Sequence, residues 1–264
     1  MVADPRVGDV AEAERLFSQA DSEGAAPLPA LSAAELWVLC GTDQVLAAES
    51  ELRWWTGLAG PERAKLTAAM LDFLAYRKLL RPAGGDQPDA RPEKRARVPM
   101  AAALAMIVAA RQHPSVVAVS TAADGSAERT PRMHGLAENG QPLRAVVGEY
   151  VSRTVTKPLP LGPLHQFSLM SPRHAGYALA VWAEADASRP ARWKRPRREA
   201  TQVVDVYQHR EGETLTRDRV TMTTVDGYHM VTRQRPGANP EPPAPCDQAG
   251  LATLLTSMLT RGQP

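Results

Sequence analysis

The sequence predicts an α+β protein. It reads as an N-terminal helical part, winged-helix-like in its order of elements, then a largely antiparallel sheet, then a closing C-terminal amphipathic helix. Three observations carry this. Apolar residues recur at helical spacing in the segments up to about residue 112. From residue 115 the period shifts toward two, with turn-forming residues at roughly ten-residue spacing. Finally Leu251, Leu254, Leu255, Met258 and Leu259 return to i, i+3, i+4, i+7 and i+8. The expected division is a weakly ordered lead-in at 1–30, a helical, winged-helix-like part at 31–112, and a β-meander with its closing helix at 113–264.

The lead-in is small, acidic and polar and ends in "GAAPLPA". At "LSAAELWVLC" Ser32 is placed to cap a helix, with Glu35 three residues on as the second half of a capping box and Leu31 and Leu36 as a hydrophobic staple. The next helix opens at Gly60-Pro61, where a proline suits the first turn, and Leu66, Met70, Phe73 and Leu74 fall on one face. A third runs from near Pro99 and stops around His113, since Pro114 disfavours helix before it. Short strands follow at 115–120, 143–150, 165–170, 176–183, 201–208, 214–225 and 228–233, with turn signals at His174 to Gly176, Glu211-Gly212 and Asp226-Gly227. Asp226-Gly227 is the strongest hairpin signal, because a type I′ turn wants positive φ at both central positions. A Pro-rich linker at 236–245 leads to the last helix, which Asp247 caps and Gly262 ends.

The 264 residues carry a net charge of +2 and include 44% hydrophobic and 23% charged side chains, as in a soluble globular protein. The two cysteines, Cys40 and Cys246, make neither a disulfide framework nor a zinc spacing. The N-terminus lacks the cationic-then-apolar pattern of a signal peptide. The longest apolar run, 100–110, is 11 residues, too short to cross a bilayer. A cytoplasmic protein without membrane association is expected.

The motif search excludes more than it finds. The sequence has no P-loop, no G-x-G-x-x-G opening a helix after a strand, no H-E-x-x-H and no G-x-S-x-G. The histidines are never paired at metal-ligand spacing on a helix. His165 and His174 flank one strand and would need Asp205 or Glu184 to make an acid–base site; the plainer reading is single surface or strand-edge histidines. Asp205 and Asp218 read as solvent-face residues or partners of Arg217 and Arg219. No catalytic residue, metal or cofactor is assigned, and a non-enzymatic protein is expected. Trp54-Trp55 reads as core packing against the helix at 32–40, with a partner-binding surface as the alternative.

The most pointed feature is "RPARWKRPRR" at 189–198, where six of ten residues are basic and none is acidic. The remainder of the chain is therefore net negative. Lying between the expected strands ending near Trp182 and beginning near Thr201, it should be an exposed hairpin loop. Its like charges call for a neutralising partner, and Trp193 with Arg beside it is the kind of anchor that interfaces favour. Arg192, Trp193, Lys194, Arg195, Arg197 and Arg198, with the closing helix, are the expected partner-binding residues. Both an acidic protein surface and a phosphate backbone would fit.

Two readings follow. In one, 31–98 is a winged helix whose tip carries Arg91, Lys94, Arg95 and Arg97, giving a DNA-binding regulator with basic surfaces at 91–97 and 189–198. Against it, the helix that would enter the groove offers Glu62, Arg63, Lys65, Asp72, Arg77 and Lys78, a mixed set poor in base-reading side chains. The other rests on a resemblance. "LSAAELWVLC", "GPERAKLTAAMLDFLAYRKLLRP", an Ala-rich helix ending at "RQHPSVVAVSTAADG", and a β-meander closed by "GLATLLTSMLTRG" follow one another as in EspG-like chaperones of ESX (type VII) secretion. The resemblance spans about residues 28–262. It implies a cytosolic, non-enzymatic protein that binds a helical secretion substrate and keeps its apolar tip covered. The insertion at 189–198 and the linker at 236–245 depart from that pattern.

Overall fold

The computed structural model describes residues 7–45, 49–80, 100–122, 131–137, 141–152, 161–187, 200–208, 216–225 and 228–261. Among them are seven α-helices and nine strands, an α+β chain with an N-terminal helical region, antiparallel strand pairing and a closing helix. It forms two compact units, Met1–Pro114 with Ser152–Ser168, and Ser115–Val151 with Leu169–Pro264.

The first unit begins where a weakly ordered lead-in was expected. Residues 7–32 instead form α1 (Val7–Glu23) and β1 (Ala25–Ser32). Leu16 and Ala20, four apart on one helical face, are buried, as are Ala26 and Leu28, two apart on one strand face. Short apolar side chains among acidic ones still make two faces, which composition alone hides. α2 (Ala33–Cys40) starts as its sequence requires: the Ser32 hydroxyl accepts the Glu35 N–H, and the Glu35 carboxylate accepts the Ser32 N–H. α3 (Glu49–Gly57) carries the tryptophan pair, and α4 (Gly60–Tyr76) has its proline in the first turn. Trp55 is buried and stacks on Trp37 of α2, ring centroids 6.1 Å apart; Trp54 is half-buried. α5 (Ala102–Gln112) ends at His113, just before Pro114.

The second unit is a sheet in the order β4-β3-β2-β6-β7-β8-β9. Its strands are β2 (Val116–Ala122), β3 (Arg132–Leu136), β4 (Ala145–Ser152), β6 (Ala200–Gln208), β7 (Thr216–Val225), β8 (Tyr228–Gln234) and β9 (Ala244–Pro245). β5 (Leu164–Met170), next to β1 in strand order, runs from the first unit into the second. Val225 lies opposite Tyr228 across the β7–β8 pairing; Asp226-Gly227 itself falls outside the described residues.

The segment 176–183, read above as a strand, is helix: α6 spans Pro172–Ala187. His174 to Gly176 is its first turn rather than a break. Ser171 caps it, its hydroxyl 2.7 Å from His174 Nδ1 and accepting the His174 N–H, and the buried residues Ala175, Leu179 and Ala180 keep helical spacing. The basic stretch is therefore flanked by a helix and a strand rather than by the two strands expected; 189–198 itself falls outside the described residues. α7 (Gln248–Thr260) is capped by Asp247, whose carboxylate accepts the Gly250 N–H at 2.7 Å. Leu251, Leu255, Met258 and Leu259 bury against α6 and one face of the sheet.

Candidate protein-binding surface

Alternation along each strand divides the second unit's sheet into two faces. One is core. Val116 and Ala118 of β2, Val204 and Val206 of β6, Val220 and Met222 of β7 and Val231 of β8 pack with the apolar sides of α6 and α7. Gln208 reaches over to donate to the Met258 carbonyl at 2.7 Å.

The opposite face carries neither α6 nor α7. Register places its side chains in rows. Asp205 lies opposite Arg219, and Arg219 opposite Gln234; Val203 faces Thr221, which faces Thr232; Thr201 faces Thr223, which faces Met230; Tyr207 faces Arg217. All of these are half-buried except Arg217, which is exposed. On β3 and β4 the same face is closed: His134, Ala145, Val147 and Glu149 are fully buried. Among the described residues the open part is thus the β6–β7–β8 portion, a grid of Thr, Val and Met with a charged row at one end.

That charged row is held by a fork. Arg219 Nε and Nη2 donate to the two Asp205 oxygens at 2.7 and 2.8 Å. The Asp205 hydrogen bond raises the Arg219 pKa further above its already high value. Arg217 approaches Asp205 only at 4.0 Å and is about half exposed. Two cations therefore share one carboxylate, and the row presents net positive charge. Chemically the described part of this surface offers methyl groups, hydroxyls and two guanidinium groups.

The sequence-predicted site residues fare unevenly. Arg192, Trp193, Lys194, Arg195, Arg197 and Arg198 fall outside the described residues, as do Arg91, Lys94, Arg95 and Arg97. The closing helix spends its apolar stripe on the core and turns Thr253 and Thr260 to solvent. Arg77, the residue that closes α4, is engaged by Glu35 at 2.8 Å and the Ala30 carbonyl at 2.8 Å. Arg63 bonds the Thr56 and Leu58 carbonyls and lies over Trp55.

Among the described residues His165 and His174 have partners other than Asp205, and the Glu184 side chain falls outside the described residues. His165 is fully buried 3.5 Å from Glu51 and stacks with Phe167. His174 bonds Ser171. His134 bonds Glu149 at 2.9 Å, with Arg132 3.6 Å from the same carboxylate and both His134 and Glu149 fully buried. The surface-histidine reading thus fails for His134 and His165, which are interior. Among the described residues no group of three or more His, Cys, Asp or Glu side chains could hold a metal ion, and no helix is long and apolar enough to cross a membrane. Of the open sheet face the sequence shows the β7 part, where Val220 and Met222, buried, alternate with Thr221 and Thr223, half-exposed; its continuation over β6 and β8 carries no such mark.

No family model matches the chain. No curated protein matches it. Among solved structures it has a likeness to the Mycobacterium tuberculosis type VII secretion system chaperone EspG5, determined in complex with a PE25–PPE41 dimer. The identity is 12% and the TM-score 0.36, over 89% of this chain and 96% of that one. At that score the two chains do not establish a shared fold.

Proposed function

We propose that this chain is a non-enzymatic chaperone or adaptor that binds another protein in the cytoplasm, with a helical type VII secretion substrate as the partner class. The observation that carries the binding role is the open β6–β7–β8 face. Three neighbouring strands whose half-exposed side chains meet neither helix of their unit form an extended, partly apolar surface of the kind that marks interaction sites. The partner class rests on the order of elements in the sequence. The positive row at Arg217 and Arg219, with the basic stretch at 189–198, favours an acidic region on the partner.

The test begins with the helical protein that co-purifies with the full chain from its native lysate, remade in isolation and titrated back. Val203→Glu or Thr221→Arg on the open face is expected to weaken binding about tenfold or more while leaving the melting temperature near that of the unaltered chain. Trp193→Ala with Arg195→Ala and Arg197→Ala is expected to act in the same direction. Thr253→Glu, on the exposed side of α7, is expected to have no effect. Undiminished binding by every face variant would remove the sheet from the interface.

A further inference from the structure

Residues 235–245 are exposed along their whole length, yet they are pinned rather than trailing. The Ala238 N–H donates to the Arg235 carbonyl at 3.1 Å, closing a turn in which Gly237 takes φ 68°. Arg235 also pairs with Glu241 at 3.1 Å. Beyond the turn the chain runs along the edge of β8. The Glu241 N–H donates to the Arg233 carbonyl at 2.7 Å, Ala244 and Pro245 pair with Val231 and Met230, and the Cys246 N–H donates to the His229 carbonyl at 3.0 Å.

Between residues 240 and 246 the backbone donors turn toward β8. Of residues 240–246, four are proline and have no N–H. Glu241 and Cys246 use theirs on β8, and Ala244, two residues before Cys246, presents the same edge to β8. The outer edge is left with proline rings, carbonyl acceptors and no donor. An added β-strand would need both donors and acceptors from that edge, so strand addition is blocked. A partner that brings its own donors faces no such bar. Proline-rich recognition works this way: aromatic rings pack between proline rings while an indole N–H or phenol O–H donates to a carbonyl. Pro240 and Pro243 are three apart, the period of the polyproline helix, just ahead of Ala244 and Pro245, which pair with β8 as strand. Anchoring at both ends also lowers the ordering cost of binding.

We propose that residues 240–245 are a preformed docking segment for a protein domain that presents an aromatic-lined, donor-bearing proline groove. This does not depend on the open sheet face and stands or falls separately. The test titrates the full chain into two isotope-labelled probe domains of that chemistry, an SH3 domain and a WW domain, and follows the probes' amide shifts. Saturable shifts at the groove are expected for at least one probe, reversed by a free proline-rich peptide that fills the same groove. Pro240→Ala with Pro243→Ala, and separately Pro242→Ala with Pro245→Ala, are expected to weaken binding about tenfold or more, with circular dichroism and thermal melting reporting that the fold is kept. Absence of groove shifts with both probes, failure of the peptide to compete, or equal binding by both folded variants overturns the proposal.

Discussion

Glu35 shows how far a local pattern reaches and where it stops. One carboxylate oxygen accepts from the Ser32 N–H and hydroxyl, at 2.7 and 2.8 Å, and the other accepts from Arg77, 42 residues further on. The Ser32 half was legible because a capping box is defined by spacing along the chain. The Arg77 half was not, because long-range pairing leaves no local mark, and Arg77 was counted among exposed groove-reading candidates. Glu35 is buried and the Arg77 side chain only about a quarter exposed. Glu35→Ala therefore removes the return half of the capping box and strands a half-buried cation, at an expected cost of about 2–4 kcal/mol. Ser32→Ala removes only the cap hydroxyl and is expected to cost about 1 kcal/mol. Denaturant midpoints of the two variants check this, and equal losses would mean that the ion pair adds nothing to the cap. His134 was misplaced for a related reason. The burial of a β3 residue cannot be inferred when β3, a five-residue strand holding His and Gly, goes unread.

At the scale of elements, strongly patterned segments were read well and balanced ones were not. α2, α4, α5 and α7 each carry a cap, a proline or an apolar stripe that admits one period. The stretch 176–183 alternates small and large apolar residues, which suits either period, and only the Ser171–Pro172 start upstream decides for helix. Gly176 gives the physical sense of that choice. In an open strand a glycine would be a weakness; in α6 it lets α7 approach. A Cβ at Gly176 would lie 2.1 Å from Thr256 Oγ1, 2.8 Å from the Thr256 nitrogen and 2.9 Å from the Ala252 carbonyl oxygen. Gly176→Ala should thus lower stability by about 1–3 kcal/mol, although on an uncrowded helix the same change gains up to about 1 kcal/mol. Adding Thr256→Ala is expected to restore only part of the loss, since two of the three crowded atoms are backbone. Thermal melts of the single and double variants measure it, and a raised midpoint for Gly176→Ala would show that the two helices do not meet this closely.

The whole molecule presents a question that neither residues nor elements answer, namely what its uneven charge is for. Only the β7 part of the open sheet face was legible in the sequence, where Thr221 and Thr223 alternate with Val220 and Met222; its extent across β6 and β8 is set only once α6 and α7 have both taken the other side. The concentration of charge was legible in full: six cations lie within 189–198 while the chain as a whole carries +2. If those cations met phosphates, affinity would depend on salt in proportion to the contacts made, losing about 10³-fold between 50 and 200 mM for six of them. A winged helix would have to add cations of its own from α4, yet Arg63 there is turned to the Thr56 and Leu58 carbonyls, and Arg77, just past its end, is paired with Glu35. Over Gly60–Tyr76 itself Arg63 and Lys65 are balanced by Glu62 and Asp72, a helix with no net positive charge to place in a groove. Fluorescence anisotropy with a random duplex of about 30 base pairs, at about 50 and 200 mM salt, is therefore expected to give no saturable binding at micromolar concentrations in either condition. Binding that is tight at low salt and falls steeply at the higher would assign the basic stretch to nucleic acid and restore the winged-helix regulator. Its absence at both leaves 189–198 to an acidic protein surface, the same requirement that Arg217 and Arg219 set on the open face.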